Sequence, residues 1–212
     1  MTSFLNPDAI LQAPRVSEPY RHFLGTGFLK ADQIDAIDRD FPKLKNAGFL
    51  TLAEVSTEGA FAGFMDELQG PDVSAAASEA LGFDLTKRPK LITIMRLCPK
   101  RAGRIHTDGK SKLATMLTYF NRSWPAGHAG AVRVVRREDD IEDYAAEVPP
   151  LMGNVFGFLR SESSWHGHLP FEGERRVVQL TWLESEADVE RKKRNNALAQ
   201  ALKSFWPKQG AA

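Results

Sequence analysis

Between Tyr20 and Gly82 the apolar residues recur mostly at helical spacing. Behind Asp32 and Gln33, the trio Ile34, Ile37 and Phe41 puts three apolar groups on one face and predicts a packing helix. Phe61, Phe64, Met65 and Leu68 predict a second helix. A third starts near Pro71-Asp72 and stops at Gly82, with proline and glycine where helix ends tolerate them. From Leu91 the period changes to two: Leu91-Ile92-Thr93-Ile94-Met95-Arg96-Leu97 is rich in β-branched residues and reads as a strand. Further strands are expected over Leu113–Phe120, Ala131–Val135, Asn154–Leu159, Ser164–Leu169 and Arg176–Trp182, separated by glycine, proline and charged clusters. The chain closes on a predicted helix, Ala187–Trp206, with Leu198, Leu202, Phe205 and Trp206 on one side. Its run Arg191-Lys192-Lys193-Arg194 reads as a solvated helix face, against the alternative of a patch for an anionic partner.

This order predicts an α+β fold in one domain over 1–212: a mostly helical N-terminal layer (20–90), an antiparallel β core (91–182) and a C-terminal helix (187–206). So many short strands imply a sandwich or barrel. Composition narrows the function. Lys+Arg 28 against Asp+Glu 27 leaves a net charge of +1, giving no basis for a nucleic-acid partner. The first residues lack the basic start and apolar run of a signal peptide, and no later segment has membrane-spanning length, so a cytoplasmic protein without a membrane partner is expected. A lone cysteine, Cys98, cannot form an internal disulfide and reads as a buried small residue. Oligomeric state is left open.

The candidate chemistry begins at Arg104-Ile105-His106-Thr107-Asp108-Gly109. His106 and Asp108 are two apart, so in extended backbone an imidazole and a carboxylate leave the same face. Alone, His-x-Asp is a weak signal that needs a third ligand. Ser164-Trp165-His166-Gly167-His168 offers one, in His166 or in His168, which lies on the same face. Two histidines and a carboxylate form the facial triad of non-haem Fe(II) oxygenases, which leaves coordination positions open for a co-substrate and oxygen. A closed structural zinc site would favour thiolates, and one cysteine cannot supply them.

Together with these ligands, Thr118-Tyr119-Phe120-Asn121 with Trp124, Gly130 and its following strand, Pro150-x-x-Gly153 with Phe156 and Phe158, and His166 with Arg176 and Trp182 occur in a specific order. Over roughly Leu91 to Trp182 the chain resembles the prolyl 4-hydroxylase-like branch of the 2-oxoglutarate/Fe(II) dioxygenases. The resemblance implies a double-stranded β-helix (jelly-roll) core, with iron held by His106, Asp108 and His166. It also implies 2-oxoglutarate and O2 as co-substrates, and hydroxylation of an unactivated C–H with release of succinate and CO2. It selects His166 over His168 as ligand by the spacing to Arg176, ten residues on, which becomes the counterpart of the family's grip on the distal carboxylate of 2-oxoglutarate. Tyr119 matches the tyrosine that supports that carboxylate. The presence of Asp108 argues against a halogenase.

Strand periodicity places Arg176 with Val178, Leu180 and Trp182, and Arg175 with Gln179 and Thr181 on the face expected to meet solvent. Arg175 is nevertheless a possible pocket residue, as are His168 and Arg96; Arg96 shares a face with Ile92 and Ile94 and could equally form a structural ion pair. His128, in the loop after Trp124, could touch substrate. The charged insert 136–150 reads as a mobile loop at the pocket mouth or as a solvated connection. Upstream of His106 the sequence Leu97-Cys98-Pro99-Lys100-Arg101-Ala102-Gly103 departs from the family's aromatic residue and Pro-Gly turn, which puts transfer of a proline-specific substrate in doubt. A small metabolite, amino acid or glycosyl substrate is expected, with a prolyl residue as the further option. The rival readings are a cupin-like metal enzyme that does not use 2-oxoglutarate and a non-catalytic jelly-roll binding module.

Overall fold

A computed structural model describes residues 3–125 and 129–205. The elements in chain order are α1 (Asp8–Leu11), β1 (Arg15–Val16), β2 (His22–Gly25), α2 (Ile34–Arg39), β3 (Leu50–Thr51), α3 (Gly59–Gln69), α4 (Pro71–Leu81), β4 (Lys90–Cys98), β5 (Lys112–Tyr119), β6 (Val132–Val135), β7 (Tyr144–Val148), β8 (Val155–Leu159), β9 (His166–Gly167), β10 (Gly173–Leu183) and α5 (Glu186–Phe205). Two antiparallel sheets result, a seven-stranded one in the order β1-β2-β8-β5-β10-β4-β3 and a three-stranded one in the order β7-β6-β9. They form the two walls of the expected jelly roll.

The long strands of the larger sheet are apolar on both faces because both are covered. One face sends Ile92, Ile94, Ala114, Met116, Val178, Leu180 and Trp182 into a core shared with α3 and α4, whose Phe61, Phe64, Leu68, Ala77 and Leu81 face it. Trp182 has no exposed surface there and donates its Nε1–H to Ser74 Oγ at 3.1 Å, so truncation to alanine is expected to cost roughly 3–5 kcal/mol. The opposite face sends Met95, Leu117, Tyr119, Phe156, Phe158 and Val177 toward Val132, Val134 and Val148 of the smaller sheet. The functional cavity opens between the sheets, at the end of this second core.

The helices begin and stop for local reasons. Asp40 accepts the Ala60 N–H at 2.8 Å and so caps α3 from outside the helix. Pro71 opens α4, and Gly82 closes it in the left-handed conformation at φ 63°. At α5, Ser185 Oγ accepts the Asp188 N–H at 3.3 Å and donates to the Asp188 carboxylate at 2.6 Å. Val189 then seats the helix against Leu91 and Leu183. Leu198, expected on the buried side, is exposed; Trp206 lies outside the described residues, as does His128.

Four features depart from the sequence reading. The 20–90 layer is not only helical, since β2 pairs with β8 and β3 with β4. The helix expected to run to Phe41 ends at Arg39, and the 164–169 strand shrinks to two residues. The insert after Val135 is neither lid nor plain connection: it contains β7, paired with β6, and is tied down by Arg133 to Glu142 and Glu147 at 2.8 and 2.7 Å and by Arg136 to Asp143 at 3.0 Å. Its strand is hidden in the sequence because Tyr144-Ala145-Ala146-Glu147-Val148 has little β-branched character and is held by charge. Among the described residues no helix is long and apolar enough to cross a membrane.

Candidate metal centre and co-substrate pocket

His106 lies outside any regular strand, yet it forms an isolated antiparallel bridge with His166 of β9. The two exchange N–H to carbonyl bonds of 3.0 Å in each direction, which sends their side chains out on one face. Each imidazole is fixed by the same device. Nδ1 of His106 lies 2.9 Å from the Arg104 carbonyl, and Nδ1 of His166 lies 2.9 Å from the Ser164 carbonyl. A carbonyl only accepts, so Nδ1 carries the proton in both rings and each Nε2 keeps its lone pair. Asp108 completes the group: one ligand atom from each of the three residues lies within 4.8 Å of the others. Two oriented imidazoles and one carboxylate suit Fe(II) in their chemistry, and the carbonyls behind the rings are the supporting contacts that metal-binding histidines use. The residues present therefore fit the metal.

Electrostatics keep the group ready to bind a cation. Burial, His106 and the other neighbours push the His166 pKa down to about 4, so its ring is neutral at physiological pH. Burial acts to raise the Asp108 carboxyl, but Lys112, His166 and the Thr115 hydroxyl outweigh it and hold its pKa below the ordinary carboxylate value. Lys112 Nζ lies 2.6 Å from Asp108 Oδ1, and Thr115 Oγ1 donates to Oδ2 at 2.5 Å. Asp108 is thus an ionised, aimed carboxylate, suited to be a ligand.

The cavity beside the triad has a volume of about 410 Å³ and is lined from both sheets, with Met95, Leu117, Val132, Gln179 and Thr181 on its walls. At its inner end is Arg175, 3% exposed. Its Nε–H donates to the Gly130 carbonyl at 2.7 Å, Nη2 lies 3.5 Å from the Tyr119 hydroxyl, and the guanidinium carbon sits 5.3 Å from the centre of the Tyr119 ring. No acidic side chain pairs with it among the described residues. Tyr119 is fully buried, and burial raises its pKa, keeping the hydroxyl protonated and able to donate.

Arg176 is not in this cavity. It lies on the helix-facing side of β10, where Nη1 binds Asp38 of α2 at 2.5 Å and the guanidinium sits over the Phe41 ring. The alternation of Arg175 and Arg176 is as expected, but the assignment of the two faces is reversed. The more apolar face of β10 packs on the helices, and the face carrying Gln179 and Thr181 lines a cavity rather than open solvent. A register shift between Glu174 and Val177 locally separates the two arginines from the ladder. Arg96, on the same side as Ile92 and Ile94, also points away and pairs with Glu174 at 2.9 Å. His168 does line the cavity; its Nδ1 bonds the Leu169 carbonyl at 2.8 Å, and burial with the neighbouring Arg175 lowers its pKa to about 4.

Four residues of the site have no part in the sequence reading: Lys112 and Thr115 on Asp108, and Lys192 with Asn196 from α5. The polar pair Gln179 and Thr181, in a strand covered on both faces, is the signal in the sequence for the cavity wall, although alternation alone equates such a face with solvent. For the reach of α5 there is no local signal.

Residues 94–184 match the family model described as the 2OG-Fe(II) oxygenase superfamily. Among curated proteins none matches the chain. Among solved structures, a Pseudomonas putida prolyl-4-hydroxylase superposes with a TM-score of 0.54 at 17% identity, covering 84% of this chain and 97% of that one. A prolyl 4-hydroxylase structure from Phytophthora capsici gives 0.55 at 15% identity, covering 90% of this chain and 72% of that one. At these identities the likeness is one of fold. With the family match lying across the strands that carry the triad, residues 94–184 of this chain are a domain of the 2OG-Fe(II) oxygenase superfamily, dioxygenases that use Fe(II), 2-oxoglutarate and O2.

Proposed function

We propose that this dioxygenase holds Fe(II) through Nε2 of His106, Nε2 of His166 and the Asp108 carboxylate, and binds the distal carboxylate of 2-oxoglutarate through Arg175 with the Tyr119 hydroxyl. The observation that carries the reading is Arg175: a buried guanidinium with no acidic partner among the described residues, in the same cavity as the triad. A buried cation needs an anion, and the planar fork of arginine matches a carboxylate through two parallel hydrogen bonds. Gly130 and the Tyr119 ring hold the fork in place, so little is lost in ordering it.

When bound, the iron and co-substrate supply the oxidising power that hydroxylates an unactivated C–H and yields succinate and CO2. The chain supplies orientation and exclusion of water. Thr115 and Lys112 aim Asp108, the carbonyls of Arg104 and Ser164 aim the two imidazoles, and Phe158 packs at 4.6 Å between centroids against His166. Asp108 serves as a ligand and not as a base.

The substrate we propose is a small molecule or a single residue presented at the mouth. The cavity volume of about 410 Å³ is near the lower end of the range for small-ligand sites and must also admit the co-substrate. The two fold relatives are prolyl hydroxylases, but the segment upstream of His106 departs from the family pattern and α5 forms part of the cavity wall, which favours a compact metabolite, amino acid or glycosyl group over a prolyl chain.

Anaerobic titration of the protein with Fe(II) and 2-oxoglutarate tests the reading, followed through the weak visible charge-transfer band of their complex. The expected result is a band in the wild type, none in His166→Ala, and a much higher 2-oxoglutarate requirement in Arg175→Ala but not in Arg176→Ala. Iron binding without a band in the wild type would instead favour a cupin-like enzyme.

A further inference from the structure

The basic run at the start of α5 is divided in its roles. Arg191 pairs with Asp188, and Lys193 with Glu190 at 2.8 Å, both within the helix. Lys192 instead lines the metal cavity, together with Asn196 one turn later. Its ammonium lies 3.9 Å from where a Cβ on Gly109 would stand, beside the ligand Asp108. It makes no hydrogen bond or ion pair among the described residues. Lys112 lines the same region and is bound to Asp108. Burial and the neighbouring Lys112 both draw the Lys192 pKa below the ordinary lysine value, as expected of a cation that lacks a counter-ion.

This cationic pole is distinct from the Arg175 end. Arg175 neighbours Tyr119 at the last residue of β5, whereas Lys112 is the first residue of β5 and pairs with Leu183. The triad lies toward the lysine end, because Asp108 bonds Thr115. Once a metal engages Asp108, that carboxylate no longer answers Lys112, and Lys192 has no anion to begin with. On the site reading proposed for this cavity, the two carboxylates of 2-oxoglutarate are taken by the metal and by Arg175. Two ammonium groups are then left facing the place where a substrate must approach.

We propose that Lys192 and Lys112, with Asn196, dock an anionic group, a carboxylate or a phosphate, of the molecule to be hydroxylated, so that the substrate is a small organic anion. This inference rests on the proposed roles of the triad and Arg175. It assigns α5, outside the matched oxygenase domain, a role in substrate choice.

The test is calorimetric titration of the full chain under anaerobic conditions, loaded with Fe(II) and 2-oxoglutarate. The probes are small carboxylic acids, including free amino acids, and phosphate monoesters, each beside its neutral amide or alcohol. At least one anion is expected to bind, with its neutral counterpart at least about tenfold weaker. Lys192→Ala should weaken it by about 10- to 100-fold, the range of a charge-assisted hydrogen bond, and Lys192→Arg should retain most of the affinity. Which arm binds, carboxylate or phosphate, identifies the group. The visible band should be unchanged in Lys192→Ala, showing that iron and co-substrate are still held. Neutral compounds binding as well as anions, no anion binding, or an affinity indifferent to Lys192→Ala would overturn the inference. Absence of the band in the wild type would overturn the site reading instead.

Discussion

His106 and His166 face each other across a single antiparallel bridge and exchange both backbone hydrogen bonds at 3.0 Å, with ring centroids 4.4 Å apart. The two imidazoles are therefore registered by the main chain, not by contacts between the rings. A neighbour that allows this is Gly167: a Cβ there would stand 2.7 Å from the Gly103 carbonyl oxygen and 3.1 Å from the Ile105 nitrogen. Backbone on both counts cannot yield by a side-chain rotation. Gly167→Ala should push the 103–106 segment away from β9 and weaken Fe(II) binding by about 10- to 100-fold, comparable to losing a supporting contact, while the protein stays folded. Anaerobic metal titration beside circular dichroism checks both parts; unchanged metal affinity would contradict this account of the bridge.

The two adjacent arginines of β10 should separate cleanly in solution. Arg175→Ala removes a buried cation and is expected to raise the 2-oxoglutarate dissociation constant about 100-fold, corresponding to ~3 kcal/mol. Arg176→Ala should leave that constant unchanged. It removes a half-screened pair with Asp38, which Arg122 continues to hold at 2.8 Å, so a stability loss of about 1 kcal/mol or less is expected from thermal melts.

Acid should destabilise the metal-free protein earlier than carboxylate titration alone would. His166 and His168 have folded pKa values near 4 against an ordinary 6.5, each lowered first by burial. Between those values the unfolded chain takes up protons that the fold cannot accept, so stability is complete above about pH 6.5 and falls as pH drops toward 4. His22, also lowered by burial, adds in the same direction. Asp108, depressed below the ordinary carboxylate value, loses its contribution at lower pH still. The combined loss is on the order of a few kcal/mol, readable as a melting temperature that declines through this window. His168→Asn, which cannot titrate, should flatten part of that decline.

Metal should act as a stabiliser through the triad alone. Fe(II) at about a hundred times its dissociation constant contributes about 2.7 kcal/mol, or about 5–10 °C in melting temperature for a chain of this size. Addition of a chelator should remove that increment, and in His166→Ala neither metal nor chelator should shift the melt. A metal-dependent shift that survives in His166→Ala would place the metal elsewhere.

Much of the chemistry is legible in the order of residues alone. Ligand identity is a matter of side-chain type at short spacing, and His106-x-Asp108 with a distant His166 carries it whatever surrounds it. The long strands β4, β5 and β10 are legible because β-branched residues concentrate there, and α3 and α4 because apolar spacing and their proline and glycine ends agree. The short strands β2 and β3 are not, since two to four residues show no period, and they become strands only by pairing with β8 and β4.

The sequence by itself determined the triad, the jelly-roll strands and the fact that Arg175 and Arg176 point opposite ways. Only the tertiary structure decided which of those ways leads to the pocket. Both faces of β10 are covered, one by helices and one by the smaller sheet, and alternation along a strand cannot say which cover encloses a cavity. The same holds for Lys192. Its run of four cations reads alike at every position, and the packing of Val189 against Leu91 and Leu183 sets the rotation of α5 that turns one of them toward the metal site.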